Sequence, residues 1–295
     1  MSAQAPESLV ALDDIAGHRH ERINRIASVL GNRLDSSALD YAAAHHLLEG
    51  AERAARAQDA NLLAWYRERT VRDLLHLSVG PHIALAPRPT DLLRGEISDT
   101  AYYLVRPDTT TAPPQAQDLI RAALASAADH GFGTLLTQHA PVICLLNRHD
   151  LGDTLHSWTL TRLPGTVFTD YTAHPEILAR DLVHEAAHNW LNDALMATAC
   201  KIDGKVFFHS PWRRTARPAF GFLHACWAFP LTMLYTVQAL GRATGELRRF
   251  MTAYLDQQRS LLARSSGDHA RALELVDNDD LRRRLSAAHA EALAL

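Results

Sequence analysis

The chain has 295 residues, enough for one large domain or two small ones with a sizeable core. Hydrophobic residues make up 47% and charged residues 21%, the ordinary globular range. The formal net charge of -3 gives no bulk electrostatic reason to expect nucleic acid or an anionic membrane as partner.

Residues 1–17 carry Glu7, Asp13 and Asp14 and lack a basic start followed by an apolar run, so no secretory signal is expected there. The longest apolar stretch, 220–240, is interrupted by His224, Pro230 and Gln238, and no membrane span is expected. Cys144, Cys200 and Cys226 are far apart and odd in number, which fits a reduced, cytoplasmic protein.

The first third reads as helix. Apolar residues recur at three and four over 9–34 and 38–56, with Ser36-Ser37 as a start signal for the second helix. A third helix is expected over 60–77, ended by Ser78-Val79-Gly80-Pro81. His45-His46 is expected on a solvated helix face. The middle is mixed: a loop-rich stretch at 87–108 with a short strand at 101–105, a Thr/Pro linker at 109–114, and a helix at 115–130. Strands are expected at 141–147 and at 155–168, the latter interrupted at Pro164-Gly165. Pro175, with Thr172 or His174 near the cap, opens a helix. Asp203-Gly204 marks a turn. Pro218 or Gly221 opens an apolar helix with a kink at Pro230. Amphipathic helices at 245–262 and 268–293 finish the chain. The expected class is mainly α with a small β component (α+β), the site lying between two packed helices of the C-terminal half. An N-terminal helical region, 1–80, and a mixed, metal-binding region, 81–295, are expected to form one compact unit.

The chemistry concentrates in His184-Glu185-Ala186-Ala187-His188. Histidines four apart share one face of a helix, so both rings can reach one divalent ion. Glu185 lies beside the first histidine and can approach the open position of the metal. Leu182, Val183, Trp190 and Leu191 would bury the rest of the helix and hold the imidazoles in place. The third ligand decides the reaction. The spacing His-Glu-x-x-His-x-x-Gly-x-x-His is excluded, because Leu191 and Ala194 stand at the later positions. No Asp or Glu occurs from 204 to 245, so a glutamate from a following helix is not available either. His224 is the expected third ligand, with His209 and Asp203 in reserve. The acid-free stretch is basic, which suits an anionic ligand. Arg213 and Arg217 are expected to serve the site. Arg214 and Arg242 are expected to pair with acids elsewhere in the fold.

Leu182-Val183-His184-Glu185-Ala186-Ala187-His188, then Ser210-Pro211-Trp212-Arg213, Arg217-Pro218, Gly221 and Leu223-His224, resembles the HExxH-motif peptide-modification family of ribosomal peptide biosynthesis. Leu163-Pro164-Gly165-Thr166-Val167 resembles the segment before that family's metal helix. The resemblance covers roughly 163–229 and departs at Ala225, where the family often has glycine. It implies an Fe(II), α-ketoglutarate-dependent dioxygenase that hydroxylates a β-carbon in a precursor peptide. It implies His184, His188 and His224 as iron ligands and an arginine on α-ketoglutarate, Arg217 first and Arg213 second. Glu185 then orients a ligand or water. The rival is a zinc hydrolase or peptidase, in which Glu185 is the general base. A third reading is a metal-stabilised module that docks a peptide on a strand edge within 158–167.

Overall fold

The structure, a computed structural model, describes residues 6–31, 37–95 and 100–295. The stretch expected as one helix over 9–34 is two: α1 (Pro6–Val10) and α2 (Asp14–Leu30), and 32–34 lie outside the described residues. Asp13 and Asp14 sit where the second helix begins, the end that favours negative charge. Gly31, at φ +73°, closes α2 with its N–H on the Ala27 carbonyl. Helix α3 (Ala38–Arg56) begins as expected at Ser37. The Ser37 hydroxyl accepts from the Asp40 N–H, and the Asp40 carboxylate takes the Ser37 N–H in return.

The third expected helix stops early. Helix α4 (Ala60–Glu68) ends, and Thr70 with Asp73 forms a second reciprocal cap that restarts the chain as a 3₁₀ helix over Val71–Leu77. Tyr66 of α4 lies flat on Gly50 of α3: a Cβ built there would stand 2.1 Å from the ring. The ring is buried and its hydroxyl donates to the Val105 carbonyl, so it has nowhere to go. Gly50→Ala is expected to cost about 1–3 kcal/mol by overpacking, seen as a lower urea midpoint at unchanged m-value.

The expected break at 78–81 is a hairpin turn, with Gly80 at φ +63° between β1 (Ser78–Val79) and β2 (His82–Leu85). No ladder forms at 101–105, where only Tyr102 bridges to Leu93. Helix α5 (Pro114–Asp129) is as expected, and α6 (Gly133–His139) is an addition to the sequence reading. The expected strands are β3 (Val142–Arg148), a two-residue β4 (Ser157–Trp158) and β5 (Thr166–Tyr171). The sheet order is β1-β2-β3-β5-β4, with β2, β3 and β5 parallel and the two edge strands antiparallel to their neighbours.

Strand β5 leads into α7 (Pro175–Ala197), which has Pro175 in its first turn and crosses the sheet. A hairpin, β6 (Phe207–Ser210) and β7 (Thr215–Pro218), follows. Helix α8 (Ala219–Ala239) then packs along α7 and carries Pro230 inside it. Trp190 of α7 stacks on Trp227 of α8, centroids 4.4 Å apart, and the Trp227 indole donates to the Ala187 carbonyl. Helix α8 is long and apolar enough by length and composition to cross a bilayer, and 78% of that window is buried within the fold. Helix α9 (Gly245–Leu273) runs past the expected stop. Ser265 turns its hydroxyl back onto the Leu262 carbonyl and so stays within the helix. Asn278 caps α10 (Asp279–Leu293). The class is mainly α with a small β part.

The N-terminal helices share this core. Arg19 of α2 reaches Asp193 of α7 at 2.6 Å, and both are buried. Burial alone would raise the Asp193 carboxyl, but the Arg19 charge and the His139 hydrogen bond outweigh it and bring it to about 2. His45 and His46 are buried rather than solvated. His46 pairs with the Thr166 hydroxyl, and the edge of His45 meets Tyr41.

Candidate metal centre

His184 and His188 project from α7 one turn apart, with their Nε2 atoms 3.2 Å from each other. Two nitrogens bound to one ion at about 2.0–2.1 Å stand about 2.9–3.4 Å apart at octahedral or tetrahedral angles, so this separation fits a shared ion. The other nitrogen of His184 lies 3.3 Å from the Thr232 hydroxyl, which itself donates to the Ala228 carbonyl. Thr232 therefore takes the Nδ1 proton and leaves Nε2 as a free lone pair, the arrangement that orients a ligating histidine. His188 presents Nδ1 to Nδ1 of His224 at 3.0 Å. Nε2 of His224 is buried without a partner among the described residues. The three imidazoles thus form a chain with His188 in the middle. The tightest group of donor atoms is His184, Glu185 and His188, all within 4.8 Å of one another. His224, the third ligand expected from the sequence, adjoins that group through the opposite nitrogen of His188.

Burial keeps all three rings neutral. His184 and His224 lie well below the ordinary histidine value, and His188 falls to about 4, helped by the Arg217 charge. Neutral imidazole is the form that binds a metal. Burial acts the other way on Glu185 and lifts it to about 8. The Ser157 hydrogen bond opposes the lift and the nearby Asp181 charge adds to it. Ser157 donates to Oε1 at 2.7 Å, and Oε2 is buried with no partner among the described residues.

The centre opens into a cleft of about 620 Å³. Ser157, Trp158, Thr159 and Thr161 form one wall, Gln257, Gln258 and Leu261 of α9 another, and the β6–β7 hairpin brings Trp212, Arg213 and Arg217. Trp212 lies parallel to Phe229 at 4.8 Å, Phe229 is 4.8 Å from His184, and the Trp212 indole donates to Gln258. This column fixes the hairpin turn over α7. Arg217 is half-buried on β7, and Gly221 leaves room for it. A Cβ at Gly221 would stand 2.9 Å from its guanidinium. Burial and the neighbouring Arg213 charge both lower the Arg217 pKa, and no carboxylate offsets them among the described residues. Ala225, at the position where glycine is common in the resembling family, also lines the cleft.

The other candidates lie elsewhere. His209 is exposed on β6, and Asp203 accepts the Lys205 N–H in its turn; neither lines the cleft. Arg242 pairs with Asp129 at 2.7 Å. Arg214 has no paired carboxylate among the described residues; it is exposed in the hairpin turn at φ +53°. Ser157, Phe229 and Gln258 were not legible as site residues, since a lone polar or aromatic residue tens of positions from the motif carries no signal. No family model and no curated protein matches the chain, so the chemistry of the centre rests on its own side chains.

Proposed function

We propose that the chain is an Fe(II), α-ketoglutarate-dependent oxygenase that hydroxylates a β-carbon in a peptide, acting in the cytoplasm. The supporting observation is Arg217. A guanidinium half out of water, beside neutral His188 and His224 and with no carboxylate partner among the described residues, calls for an anion. α-Ketoglutarate is a dianion of suitable size for a cleft of about 620 Å³. The donor set fits iron(II) in kind: His184 and His188 bring their Nε2 atoms together at 3.2 Å, and His224, which here meets the opposite nitrogen of His188, is the third imidazole of the cluster. When bound, iron with α-ketoglutarate supplies the oxidising chemistry that removes hydrogen from a substrate carbon. The protein's part is to hold the cosubstrate carboxylate on Arg217, with Arg213 next to it. Thr232 and Phe229 fix the His184 ring, and Glu185 orients what lies beside the ligands. The peptide would lie along the wall formed by Ser157, Trp158, Thr159 and Thr161.

Anaerobic titration of the Fe(II)-loaded protein with α-ketoglutarate tests this reading. A visible charge-transfer band should grow to saturation at one equivalent. Arg217→Ala should weaken that binding by about 2–5 kcal/mol. Gly221→Ala should weaken it too, by displacing the guanidinium. An unchanged affinity in Arg217→Ala moves the role to Arg213. The absence of any band, with tight zinc retention, favours a zinc hydrolase instead. That reading has its own observation: the Glu185 carboxylate belongs to the tightest donor group and has one free oxygen, as a general base taking a proton from the attacking water would need.

A further inference from the structure

Glu185 follows directly on His184, and one of its oxygens lies within 4.8 Å of a ring nitrogen of each histidine of the pair. Neighbouring ligands on one ion at about 2.0–2.2 Å stand about 2.8–3.6 Å apart, so a side-chain movement on the order of an ångström would make this carboxylate a ligand. A carboxylate so placed is the default third donor of a two-histidine site. Something must therefore hold it back. Among the described residues its side chain has one hydrogen bond, from Ser157 to Oε1, and Oε2 is buried without a partner. That pose leaves Glu185 poorly solvated, and among the described residues Ser157 is the hydrogen-bond partner that maintains it.

The serine is itself firmly held. Ser157 pairs with Thr169 in the antiparallel ladder of β4 and β5. Its neighbour His156 gives its N–H to Oδ2 of Asp170, and the Asp170 N–H returns to the His156 carbonyl. Oδ1 of Asp170 takes both the backbone N–H and the side-chain amide of Asn147 at the end of β3. One hydroxyl is thus anchored to three strands of the sheet, on the opposite side of Glu185 from the helix that carries it.

We infer that Ser157 is a positioning residue that clasps Glu185 away from the metal, so that the ion keeps a histidine ligand set with positions open for exogenous ligands. The inference rests on the metal-centre reading. A plain helix-to-sheet tie would have the same hydrogen bond but would not influence what the metal sees.

Cobalt(II) titration of the full chain, followed by visible absorption and by competition with a chelator, separates the two. Ser157→Ala should release the carboxylate onto the ion, shift the cobalt bands and tighten binding by about tenfold. Ser157→Thr, which retains the hydroxyl, should restore the wild-type spectrum, and so should the double variant Ser157→Ala with Glu185→Gln. An identical spectrum and affinity in Ser157→Ala would overturn the clasp. Glu185→Gln in the wild-type background gives a check that does not depend on the folding of Ser157→Ala. It should leave the cobalt spectrum unchanged, and a changed spectrum would show that Glu185 is already a ligand and overturn the inference. If the wild-type chain takes up no cobalt, zinc or iron, the metal reading itself falls and the clasp falls with it.

Discussion

The His188→Ala protein is expected to lose metal binding while remaining folded. His188 is the one ring of the three that engages both others, Nε2 toward His184 and Nδ1 toward His224. Removing it deletes a ligand and leaves the remaining imidazoles without a common neighbour. Loss of a group that merely supports a ligand costs roughly 10–100-fold in metal affinity, so loss of the ligand itself should cost more than about 100-fold. The fold should tolerate the change. The ring faces the cleft, whereas the helix is held by its other side through Trp190, Leu191 and the Asp193 pair with Arg19. Metal content after dialysis, alongside the urea midpoint of the metal-free protein, checks both halves of the expectation. Near-wild-type occupancy would dismiss the centre. The companion His224→Ala decides the third place. Loss of tight binding there assigns His224 as ligand, and full occupancy assigns Glu185, the other donor beside the pair.

How much of this was legible in the sequence follows from the range of the interactions. Helix α3 was readable because its cap is local, Ser37 with Asp40 three residues on. The histidine pair was readable because four residues on a helix is also a local relation. Helix α4 was read too long because the Thr70–Asp73 cap that restarts the chain lay inside a continuous apolar stripe. The β6–β7 hairpin was missed because its turn lacks the glycine or asparagine that signals a left-handed residue. Arg214 takes that conformation instead, at φ +53°. Burial of His45 and His46 could not be seen, since it depends on Thr166 and on the helices that come to cover α3. The same holds for Ser157, 28 positions before the glutamate it clasps, and for Arg19, 174 positions before Asp193. Spacing motifs give the metal helix. The walls of the cleft come from contacts that no spacing encodes.

Acid should unfold the metal-free protein well before Asp193 titrates. The chain buries several histidines outside the metal centre, and burial depresses each below its ordinary value of 6.5. His46, His82 and His289 fall to about 4. His45 and His269 fall to about 3, with the charges of Arg22 and His289 respectively adding to the burial. These rings are neutral in the folded state and protonate freely in the unfolded chain once the pH drops below 6.5. Their contribution is therefore intact above 6.5 and is lost progressively as the pH falls toward about 4 to 3. Each ring removes up to about 1.4 kcal/mol per pH unit through that window, so the five acting together give a slope of up to about 7 kcal/mol per unit. Against a total stability of about 5–15 kcal/mol, that brings the transition to roughly pH 5. Asp193 works in a different window. Its carboxyl is depressed to about 2, so its contribution is intact above 3.8 and lost only as the pH falls through about 2. Urea midpoints by circular dichroism at pH 7.5, 6.5 and 5.5 should hold between the first two and drop sharply at the third. A ring that still stacks but cannot titrate, as in His289→Phe against His269 at 4.0 Å, should make the slope shallower. Midpoints that stay level down to pH 4 would mean that these histidines gain their protons inside the folded protein, and that the burial on which this expectation rests does not hold in solution.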